Sequence, residues 1–438
     1  MIKVAKFGGS SVADAAQFAK VKDIVFQDRS RRIIVVSASG KRNKQDNKIT
    51  DLLYLCHAHI KYSVNYDQIL GMIEQRFEEI KQKLQLQLDL THEFALIKQS
   101  LSKTMNADYL VSRGEYLTAK LMAEYLGYPF VDASELIRFD YHHRLDEETS
   151  QTLVDAILEK YDYIVVPGFY GAMPDGSIQV MDRGGSDITG SILAKLTHST
   201  LYENWTDVSG ILVADPRIVH EAKAISTITY RELRELSYMG ATVLHEEAIF
   251  PVMEAHIPIQ IRNTNEPDHP GTIIVEKNHE MDEENQFITG IAGKKDFSVI
   301  TIYKNHMSNE VGTIRRALQV FEDYKISVEH IPSGIDSFSV VVASEDVKRH
   351  IHDIIVDIKK ACNTQQVHVI HEMSLIATVG RNMVYRPGIS GKLFAVLGSH
   401  GINIRMIAQG SDEINIIIGV ENKDFEHTIQ VIYENFVR

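Results

Sequence analysis

The chain has 438 residues, more than one hydrophobic core usually supports, so two or three domains are expected. Apolar residues make up 44% and charged residues 24% of the sequence, which is typical of a globular protein and argues against a disordered chain. The formal net charge of −13 argues against nucleic acid or an anionic membrane as a partner. Any anionic ligand must therefore be held by local cations.

The cysteines and the first residues indicate the compartment. Cys56 and Cys362 are the only cysteines and lie far apart in sequence, which fits a reducing compartment and no disulfide framework. The first strand carries a lysine where a secretory signal would be apolar, and no apolar run approaches the ~20 residues of a membrane span. We therefore expect a cytoplasmic protein with no membrane partner.

The first predicted element is a short apolar strand, Ile2 to Phe7, which runs into Lys6-Phe7-Gly8-Gly9-Ser10-Ser11. The lysine, the glycine backbone amides and the hydroxyls can all face one anion. A helix predicted over Asp14 to Phe26 would direct its positive end to the same place. The order differs from a P-loop, in which the lysine follows the glycines, and from G-x-G-x-x-G. It indicates a phosphate site, although a Gly-Gly turn alone often only makes a tight corner.

The first 275 or so residues alternate apolar strands with helical stretches. The strands are continuous β-branched runs, which are typical of a parallel sheet covered by helices on both faces. After the opening strand, the predicted strands are Arg32–Ser37, Tyr163–Val166, Ile178–Met181, Leu201–Asn204, Ile259–Arg262 and Thr272–Val275. Between Ile60 and Met105, apolar residues recur at helical spacing among many polar ones, which predicts a helical hairpin. We favour a hairpin that packs on its own domain over the alternative, an arm that binds a partner.

A polar linker over 277–286 is the best candidate for a domain boundary, and an internal repeat follows it. The segment from Val311-Gly312-Thr313-Ile314 to Ser339-Val340-Val341-Val342 matches, at a constant offset of 76 residues, the segment from Pro387-Gly388-Ile389-Ser390 to Asn415-Ile416-Ile417-Ile418. Each copy has the pattern of a βαββαβ unit. We predict an α/β chain: a three-layer parallel-sheet domain over 1–285, then 286–438 with two ferredoxin-like modules at about 297–371 and 374–438.

Four more segments of the first domain combine small and charged residues at predicted turns. They are Ser37-Ala38-Ser39-Gly40-Lys41 followed by Thr50, Ser112-Arg113-Gly114-Glu115 at the predicted start of a helix, Asp182-Arg183-Gly184-Gly185-Ser186-Asp187 before a helix predicted over Ile188 to Leu196, and Thr206-Asp207-Val208-Ser209-Gly210 with Asp215-Pro216-Arg217. The carboxyl ends of strands are where open α/β sheets keep their binding sites.

Each of these segments also has a purely structural interpretation. Glu115 could be a first-turn helix carboxylate, and Arg183 with Asp187 a surface ion pair. Thr206 and Asp207 could form a helix cap. Five such turns together favour one binding site. The segment from His245 lacks the second histidine of H-E-x-x-H, so no protein metal site is predicted.

In this order, the motifs resemble those of the aspartokinases, a branch of the amino-acid kinase fold. The resemblance rests on Lys6-Phe7-Gly8-Gly9-Ser10-Ser11, Arg183-Gly184-Gly185-Ser186-Asp187, Trp205-Thr206-Asp207-Val208 with Asp215-Pro216-Arg217, and Val243-Leu244-His245 before the double repeat. It covers nearly the whole chain. It implies ATP-dependent phosphorylation of the β-carboxylate of L-aspartate to 4-phospho-L-aspartate, the first step towards lysine, threonine and methionine. It also implies two ACT modules that bind an end-product amino acid.

The resemblance also implies roles for individual positions. Those at the phosphoryl transfer are Lys6, Gly8, Gly9 and Asp187. Those that match aspartate-binding positions are Ser37, Thr50, Glu115, Arg183 and Asp187, with Phe169 as a pocket wall. Those assigned to the nucleotide are Lys6, Ser10, Thr206, Asp207 and Arg217.

Elementary chemistry supports this assignment. An aspartate ligand carries two carboxylates and an ammonium; Arg183 can bind a carboxylate in a bidentate manner, and Glu115 with Asp187 can bind the ammonium. The attacking carboxylate is already ionised at neutral pH, so no general base is required. Lys6, glycine amides and Mg²⁺ are expected to offset its repulsion from ATP. We expect Mg²⁺ to be held mainly by phosphate oxygens and water.

Two positions depart from the family pattern and keep alternatives open. Thr242 stands where many relatives have a lysine that assists the nucleotide phosphates, and Leu212 where many have an aromatic residue near the adenine. We expect Lys41 or Arg42 to replace the missing cation. One alternative is a kinase for another carboxylate such as acetylglutamate, whose acylated amine carries no charge for the acidic residues. The other is a non-catalytic amino-acid sensor with a vestigial kinase domain.

The repeat predicts regulation. Each ACT module should leave an edge strand exposed, so two modules can pair and leave a ligand groove, and a homodimer is expected. The effector region of lysine-sensitive relatives corresponds to Met307, Glu310, Gly312, Thr313, Ile314, Ser327, Val328, Glu329 and Ser333, with departures at Glu310 and Thr313. We prefer lysine over threonine as the predicted effector. A module that serves only as a dimerisation surface is the alternative.

Overall fold

The computed structural model describes the chain except residues 183, 242, 243, 245, 278–287, 365, 382, 384–386 and 410–413. The chain divides into two compact units: unit 1 is Met1–Ile211, Ala224–Tyr230 and Val243–Glu280, and unit 2 is Leu212–Lys223, Arg231–Thr242 and Met281–Arg438. Two short segments of the N-terminal part therefore belong to unit 2. The domain limits 1–285 and 286–438 remain predictions.

Unit 1 is built on a seven-stranded sheet of order β3-β2-β1-β6-β8-β9-β7. Its strands are β1 (Lys3–Phe7), β2 (Arg31–Val36), β3 (Ile164–Pro167), β6 (Leu201–Thr206), β7 (Thr227–Thr229), β8 (Ile259–Asn263) and β9 (Thr272–Val275). Neighbouring strands are parallel except β8 and β9, which are antiparallel. The predicted α/β class with a parallel-dominated sheet is confirmed.

The prediction that Ile178–Met181 belongs to the main sheet is wrong. The strand there, β5 (Ile178–Val180), pairs antiparallel with β4 (Tyr170–Ala172) in a separate two-stranded sheet. The short connection contains Gly176 at φ 83°. Parallel neighbours need a crossover of about a dozen residues or more, whereas a short turn can only give a hairpin.

The helices of unit 1 cover the sheet and add the predicted hairpin. They are α1 (Ala15–Gln27), α2 (Ile49–Lys61), α3 (Asp67–Leu84), α4 (Leu90–Ser100), α5 (Ala107–Leu126), α6 (Glu147–Lys160), α7 (Gly185–Leu196) and α9 (Phe250–Glu254), while α8 (Tyr230–Tyr238) lies almost wholly in unit 2. The predicted first helix is confirmed, with the Asp14 side chain capping it by accepting the Gln17 N–H. Helices α3 and α4 confirm the hairpin, whose Ile73, Phe77 and Phe94 join the core of unit 1.

The prediction that Ser112-Arg113-Gly114-Glu115 opens a helix is wrong, because these residues lie in the middle of α5. Asn106 caps that helix by accepting the Asp108 N–H. Gly114 is needed for close packing: a Cβ atom there would lie 2.9 Å from the Cβ of Ala38. The glycine therefore brings α5 against the turn after β2. Helix α7 also begins earlier than predicted, at Gly185.

Unit 2 contains a five-stranded antiparallel sheet of order β11-β10-β12-β14-β13. Its elements are β10 (Gly290–Tyr303), α10 (Thr313–Asp323), β11 (Ser337–Ala343), α11 (Ser344–Val347), α12 (Ile351–Cys362), β12 (Gln366–Val379), α13 (Ile389–Ser399), β13 (Met406–Ala408), β14 (Asn415–Glu421) and α14 (Phe425–Phe436). No helix among the described residues is long and apolar enough to cross a membrane.

The two repeats share their long strands. Residues 297–303 of β10 pair with the first half of β12, whereas residues 290–294 pair with its second half, which belongs to the second repeat. The second repeat thus includes a strand segment, residues 290–294, that precedes the first repeat in sequence. The module limits 297–371 and 374–438 remain predictions. Gly312 and Gly388 have the same left-handed φ, 87° and 88°, and cap α10 and α13. This requirement explains why the repeat keeps both glycines.

Candidate active site

The carboxyl ends of β1, β2 and β6 meet the N-terminus of α7 at the end of the main sheet where these parallel strands terminate. Lys6 of β1 is in register with Asn204 of β6, so the two side chains leave the same face side by side. Asp187 lies in the first turn of α7. Parallel pairing thus brings residues from three distant segments together, as expected for a site at strand ends.

Lys6, Asp187 and Asn204 form what we call the Lys6 cluster. The Lys6 ammonium, on a side chain only 8% exposed, forms an ion pair with Oδ1 of Asp187. Asn204 Nδ2 donates to the same Oδ1 at 2.9 Å, and Asn204 Oδ1 lies 3.5 Å from Lys6 Nζ. The charges fix this amide orientation, because the NH₂ group must face the carboxylate and the carbonyl the ammonium. Tyr202 holds the same turn by donating its hydroxyl to the backbone carbonyl of Asp187 at 3.0 Å.

The glycine turn after β1 is fixed by backbone bonds. The Gly8 N–H donates to the carbonyl of Trp205 at 2.9 Å, so it is committed to the fold and does not face a phosphate as expected. The carbonyl of Gly9 accepts the N–H of Gly40 at 2.9 Å. A Cβ atom at position 40 would lie 2.6 Å from the carbonyl carbon of Gly9. Two glycines in contact therefore set the spacing between the turns after β1 and β2.

Glu115 is a buried carboxylate with an unused oxygen. Its side chain is among the buried charged groups, and within the described residues Oε2 has no hydrogen-bond partner. Burial raises the pKa of Glu115 to about 8, against the opposing effects of the Ala38 N–H and the charge of Arg113. A buried polar atom without a partner is costly, so this oxygen indicates a place for a cationic ligand.

Arg113 is held by aromatic rings beside this carboxylate. Its guanidinium lies over the rings of Tyr109, Tyr116 and Tyr170, at 4.6, 4.4 and 5.5 Å from their centroids. Such stacking stabilises a desolvated cation. The arginine thus supplies positive charge near Glu115 without occupying its free oxygen.

The other residues predicted to bind aspartate are partly brought together. Ser37 donates to Ser186 Oγ at 2.8 Å, which joins the turn after β2 to the start of α7. Phe169 has a left-handed φ of 82°, and its N–H donates to Thr189 Oγ1 at 2.9 Å. Backbone strain of this kind in a bulky residue is typical of functional sites. Thr50 lies in the first turn of α2, and Arg183 lies outside the described residues.

The residues assigned to the nucleotide are divided between the units. Ser10 lies in the 3₁₀ turn Gly9–Val12, and Thr206 ends β6 and donates to Asp207 at 3.1 Å. Arg217 belongs to unit 2, where its guanidinium pairs with Asp215 at 2.6 Å.

The position that lacks the family lysine, Thr242, lies outside the described residues. Of the two proposed replacements, Arg42 is engaged with Asp46 and Glu79, and Lys41 is exposed. Arg42 is therefore held in ion pairs between its own loop and α3. No group of three or more metal-ligating side chains occurs in the described part of the chain.

Sequence reasoning missed Asn204, Ser186 and Tyr202. A polar side chain inside the otherwise apolar β6 strand was the available signal for Asn204, two residues before the Thr206 motif. The contacts of Ser186 and Tyr202 required knowledge of which strands are neighbours.

Three comparisons with known proteins identify the family of the chain. The sequence profile of the amino acid kinase family matches residues 1–263, and that of an ACT domain matches residues 376–436. Aspartokinase 3 of Bacillus subtilis is 36% identical over 99% of this chain and 98% of its own. The crystal structure of Clostridium acetobutylicum aspartate kinase is 47% identical with a TM-score of 0.93 and 99% coverage of both chains. Aspartokinase III of E. coli in complex with aspartate and ADP is 25% identical, with a TM-score of 0.75 and full coverage of both chains.

The fold and these matches thus define a carboxylate kinase of the amino acid kinase family with an ACT domain in its C-terminal part. Within that class the chain belongs to the aspartokinases, as its relatives show over nearly their full length. The resemblance of the motifs is confirmed. Aspartate kinase activity is favoured over both the sensor and the acetylglutamate alternative.

Asn204 supplies the first testable prediction. Replacing Asn204 by Leu keeps the side-chain volume similar but removes both polar contacts of the Lys6 cluster. We expect kcat/KM for aspartate to fall by the equivalent of about 1.5–3 kcal/mol, the usual contribution of a hydrogen bond to a charged group. Steady-state kinetics measure this loss, and thermal unfolding checks that the variant is folded. A folded variant with wild-type kcat/KM would show that the amide does not matter.

Proposed function

We propose that this site transfers the γ-phosphoryl group of ATP to the β-carboxylate of L-aspartate, with the residue roles given below. The observation that carries the proposal is a pair of acids near the strand ends: the buried Glu115, on the helix packed against the turn after β2, has a carboxyl oxygen without a partner among the described residues, and Asp187 is shared within the Lys6 cluster. The complex of the E. coli relative with aspartate and ADP supports the same pair of substrates.

The acidic residues select a free amino group. Glu115 and Asp187 are the partners proposed for the substrate ammonium, and Arg183 for a substrate carboxylate. A buried acid gains most from a partner that is itself charged, because an unpaired buried charge is costly. An N-acylated amino acid offers no such charge. This preference distinguishes aspartate from acetylglutamate as the acceptor.

The Lys6 cluster suggests how the two substrates are coupled. Without ligand, Lys6 is neutralised by Asp187. A substrate ammonium that pairs with Asp187 competes for the same carboxylate, which releases the lysine towards the phosphoryl group. Asn204 Oδ1 lies within 3.5 Å of Lys6 Nζ and remains as its acceptor. Aspartate binding would thereby prepare the cation that the reaction needs.

The chemical step needs no proton transfer. One oxygen of the aspartate β-carboxylate forms a bond to the γ-phosphorus, and the bond from that phosphorus to the β,γ-bridging oxygen breaks, leaving its electron pair on ADP. Lys6 and the N-terminal end of α7 stabilise the negative charge on the transferred group. We propose that Mg²⁺ enters with the nucleotide as MgATP, held by phosphate oxygens and water.

Glu115 gives a direct test of the amine pocket through pH. A pKa of about 8 means that the free enzyme holds Glu115 protonated below that pH. We expect kcat/KM for aspartate to rise about tenfold per pH unit from pH 6 and to level off above pH 8, because kcat/KM reports the ionisation of the free enzyme. Acyl phosphate trapped as the hydroxamate measures the rate.

The matched variant is Glu115→Gln, which resembles the protonated acid. We expect kcat/KM to be at least about 100-fold lower at pH 8 and nearly independent of pH, since a buried charge partner of the ammonium is lost. The ligand-free melting temperature should stay close to that of the wild type, because Gln replaces a neutral carboxyl group. A flat wild-type profile between pH 6 and 8, or equal rates of wild type and variant, would contradict the amine assignment.

The first repeat offers a site for an effector. A cavity of about 660 Å³ is lined by residues of α10 and the segment after it, including Ser327, Val328 and Glu329 from the predicted effector set. Of the other predicted residues, Met307 and Thr313 are buried, and Glu310 is paired with Lys304 and Arg316. Two acids, Glu322 and Glu329, and one lysine, Lys325, line the cavity, so its carboxylates outnumber its ammonium groups, which favours a cationic amino acid. We therefore propose lysine rather than threonine as the effector.

One contact leads from this cavity towards the kinase motifs. The Tyr238 hydroxyl at the end of α8 donates to Glu329, and burial together with that carboxylate raises the pKa of Tyr238 to about 12. Along the chain, α8 is followed by the motif from Gly240 to His245, of which positions 242, 243 and 245 are not among the described residues. An effector that pairs with Glu329 would weaken this bond.

We also propose a cytoplasmic homodimer. At one edge of the five-stranded sheet, residues 330–333 pair with β11 through isolated bridges, and β13 forms the opposite edge. Ile331 and Ile407, equivalent in the repeat, are 38% and 49% exposed at these edges. Edge strands with exposed apolar residues are suited to pairing with a second copy. Both cysteines are free and buried, which supports a reducing compartment.

Lysine inhibition tests the effector assignment. We expect millimolar lysine to lower activity, threonine to act less, and Glu329→Gln to raise the lysine concentration for half inhibition about tenfold, because a charged partner of the ammonium is removed. Glu345→Gln is the control, since Glu345 is exposed in α11 and is not part of the cavity lining. A flat response of the wild type to lysine, or equal responses of the two variants, would remove this proposal.

A further inference from the structure

The helical hairpin formed by α3 and α4 inserts one arginine beneath the loop of residues 40–48. Arg76 of α3 is only 5% exposed. One terminal nitrogen of its guanidinium donates to the carbonyl of Gly40 at 3.0 Å, and the other to Asp46 Oδ1 at 2.6 Å. Both partners belong to this loop and not to the core of the hairpin. The planar fork of arginine thus fixes the loop at both ends.

Gly40 connects Arg76 to the glycine turn of the active site. While its carbonyl accepts from Arg76, its N–H donates to the carbonyl of Gly9 at 2.9 Å. The two glycines are so close that a Cβ atom at Gly40 would lie 2.6 Å from the carbonyl carbon of Gly9. A displacement of Gly40 must therefore move Gly9 or break this contact. Gly9 lies three residues after Lys6.

The contacts of Asp46 close the loop on itself. Its carboxylate accepts from the N–H and the Nε of Arg42, both through Oδ2, in addition to Arg76. Although burial opposes it, bonding to Arg42 and the charge of Arg76 lower the pKa of Asp46 to about 2. Glu79 of α3 also accepts from Arg42, at 2.8 Å. The loop is thus held by charged contacts to the hairpin.

The remaining contacts of the hairpin are independent of the loop. Ile73 and Phe77 of α3 and Phe94 of α4 pack in the core of unit 1. Glu93 of α4 pairs with Lys120 of α5 at 2.5 Å. These contacts would hold the hairpin in place without Arg76. Arg76 is the buried cation of α3 whose partners lie in the loop, so its contribution can be separated from that of the hairpin core.

We propose that Arg76 is a positioning residue for phosphoryl transfer: it anchors Gly40 against Gly9 and so fixes the glycine turn beside Lys6. In this proposal the hairpin supports the part of the site, beside Lys6, that receives the transferred phosphoryl group. This inference rests on the proposed function, since it needs the glycine turn to face the transferred group. A small displacement of such a turn lowers the rate without removing any substrate contact.

The test compares Arg76→Met with Lys98→Met, which removes an ion pair between α4 and α3, Lys98 to Glu74 at 2.6 Å, without touching the loop. For Arg76→Met we expect kcat to fall about 10- to 100-fold, the loss typical of a hydrogen bond to a charged group, with KM for aspartate within about threefold. For Lys98→Met we expect both constants within about twofold of wild type, because a partly exposed ion pair within the hairpin contributes little and only to stability.

Limited proteolysis shows whether Arg76 holds the loop, whereas kcat at nearly constant KM shows whether that hold matters for the reaction, which a purely structural role would not change. Lys41, Arg42, Lys44 and Lys48 are exposed in the loop and are sites for trypsin. Cleavage there, mapped by mass spectrometry, should be at least about tenfold faster in Arg76→Met than in wild type and unchanged in Lys98→Met, since cleavage follows local opening. Arg76→Lys, which keeps the charge but not the fork, should fall between the two.

Gly40→Ala keeps the inference testable if Arg76→Met does not fold. It leaves Arg76 intact and pushes the loop away from Gly9, so the same loss of kcat at nearly constant KM is expected. Wild-type kcat in a folded Arg76→Met variant, with or without faster cleavage of the loop, would overturn the inference, as would wild-type kcat in Gly40→Ala. Failure of the wild-type enzyme itself to form acyl phosphate from aspartate would instead overturn the proposed function.

Discussion

The constraint on which the site depends is the repulsion between two anions that must touch. A carboxylate and a phosphate charge ~4 Å apart repel each other by about 4 kcal/mol at an effective dielectric constant of ~20. The protein as a whole, with a net charge of −13, makes this worse. The compensating positive charge must therefore be local, and we propose that it comes from the buried ammonium of Lys6 and the N-terminus of α7, which lie together at the carboxyl ends of the strands. Parallel strands make this possible, because their carboxyl ends leave several such groups at the same place.

Two acidic side chains of the candidate site are the proposed partners of the substrate ammonium. Asp187 is shared by Lys6 and Asn204, and Glu115 keeps an oxygen without a partner within the described residues. The unpartnered oxygen of Glu115 costs folding free energy, and the proposed substrate ammonium would supply its partner. Phe169 adds backbone strain at the same place, held by Thr189. With the roles proposed for Glu115 and Asp187, the site favours a charged free amine over an N-acylated one, which carries no charge.

The sequence predicted the parts of the site that lie close together in the chain. Lys6-Phe7-Gly8-Gly9 and the repeated glycines at 312 and 388 signal their conformation locally, so they could be read without a structure. Asn204 lies 198 residues from Lys6, and Arg76 lies 36 residues from Gly40, so no spacing rule could join them. The error at Ile178–Met181 has the same cause, because a β-branched run does not reveal its partner. The shared strands β10 and β12 likewise depend on register, which the repeat alone does not define.

The most direct measurement of the central claim is a single turnover with Lys6→Met, with acyl phosphate trapped as the hydroxamate. Lys3→Met is the matched control, since Lys3 lies on the same strand but pairs with Asp28 at 2.7 Å, outside the site. If Lys6 neutralises the transferred group, the rate of the Lys6 variant falls at least about 100-fold, as when a group that stabilises transition-state charge is lost. The Lys3 variant should keep its rate. An undiminished rate in the Lys6 variant would contradict the account.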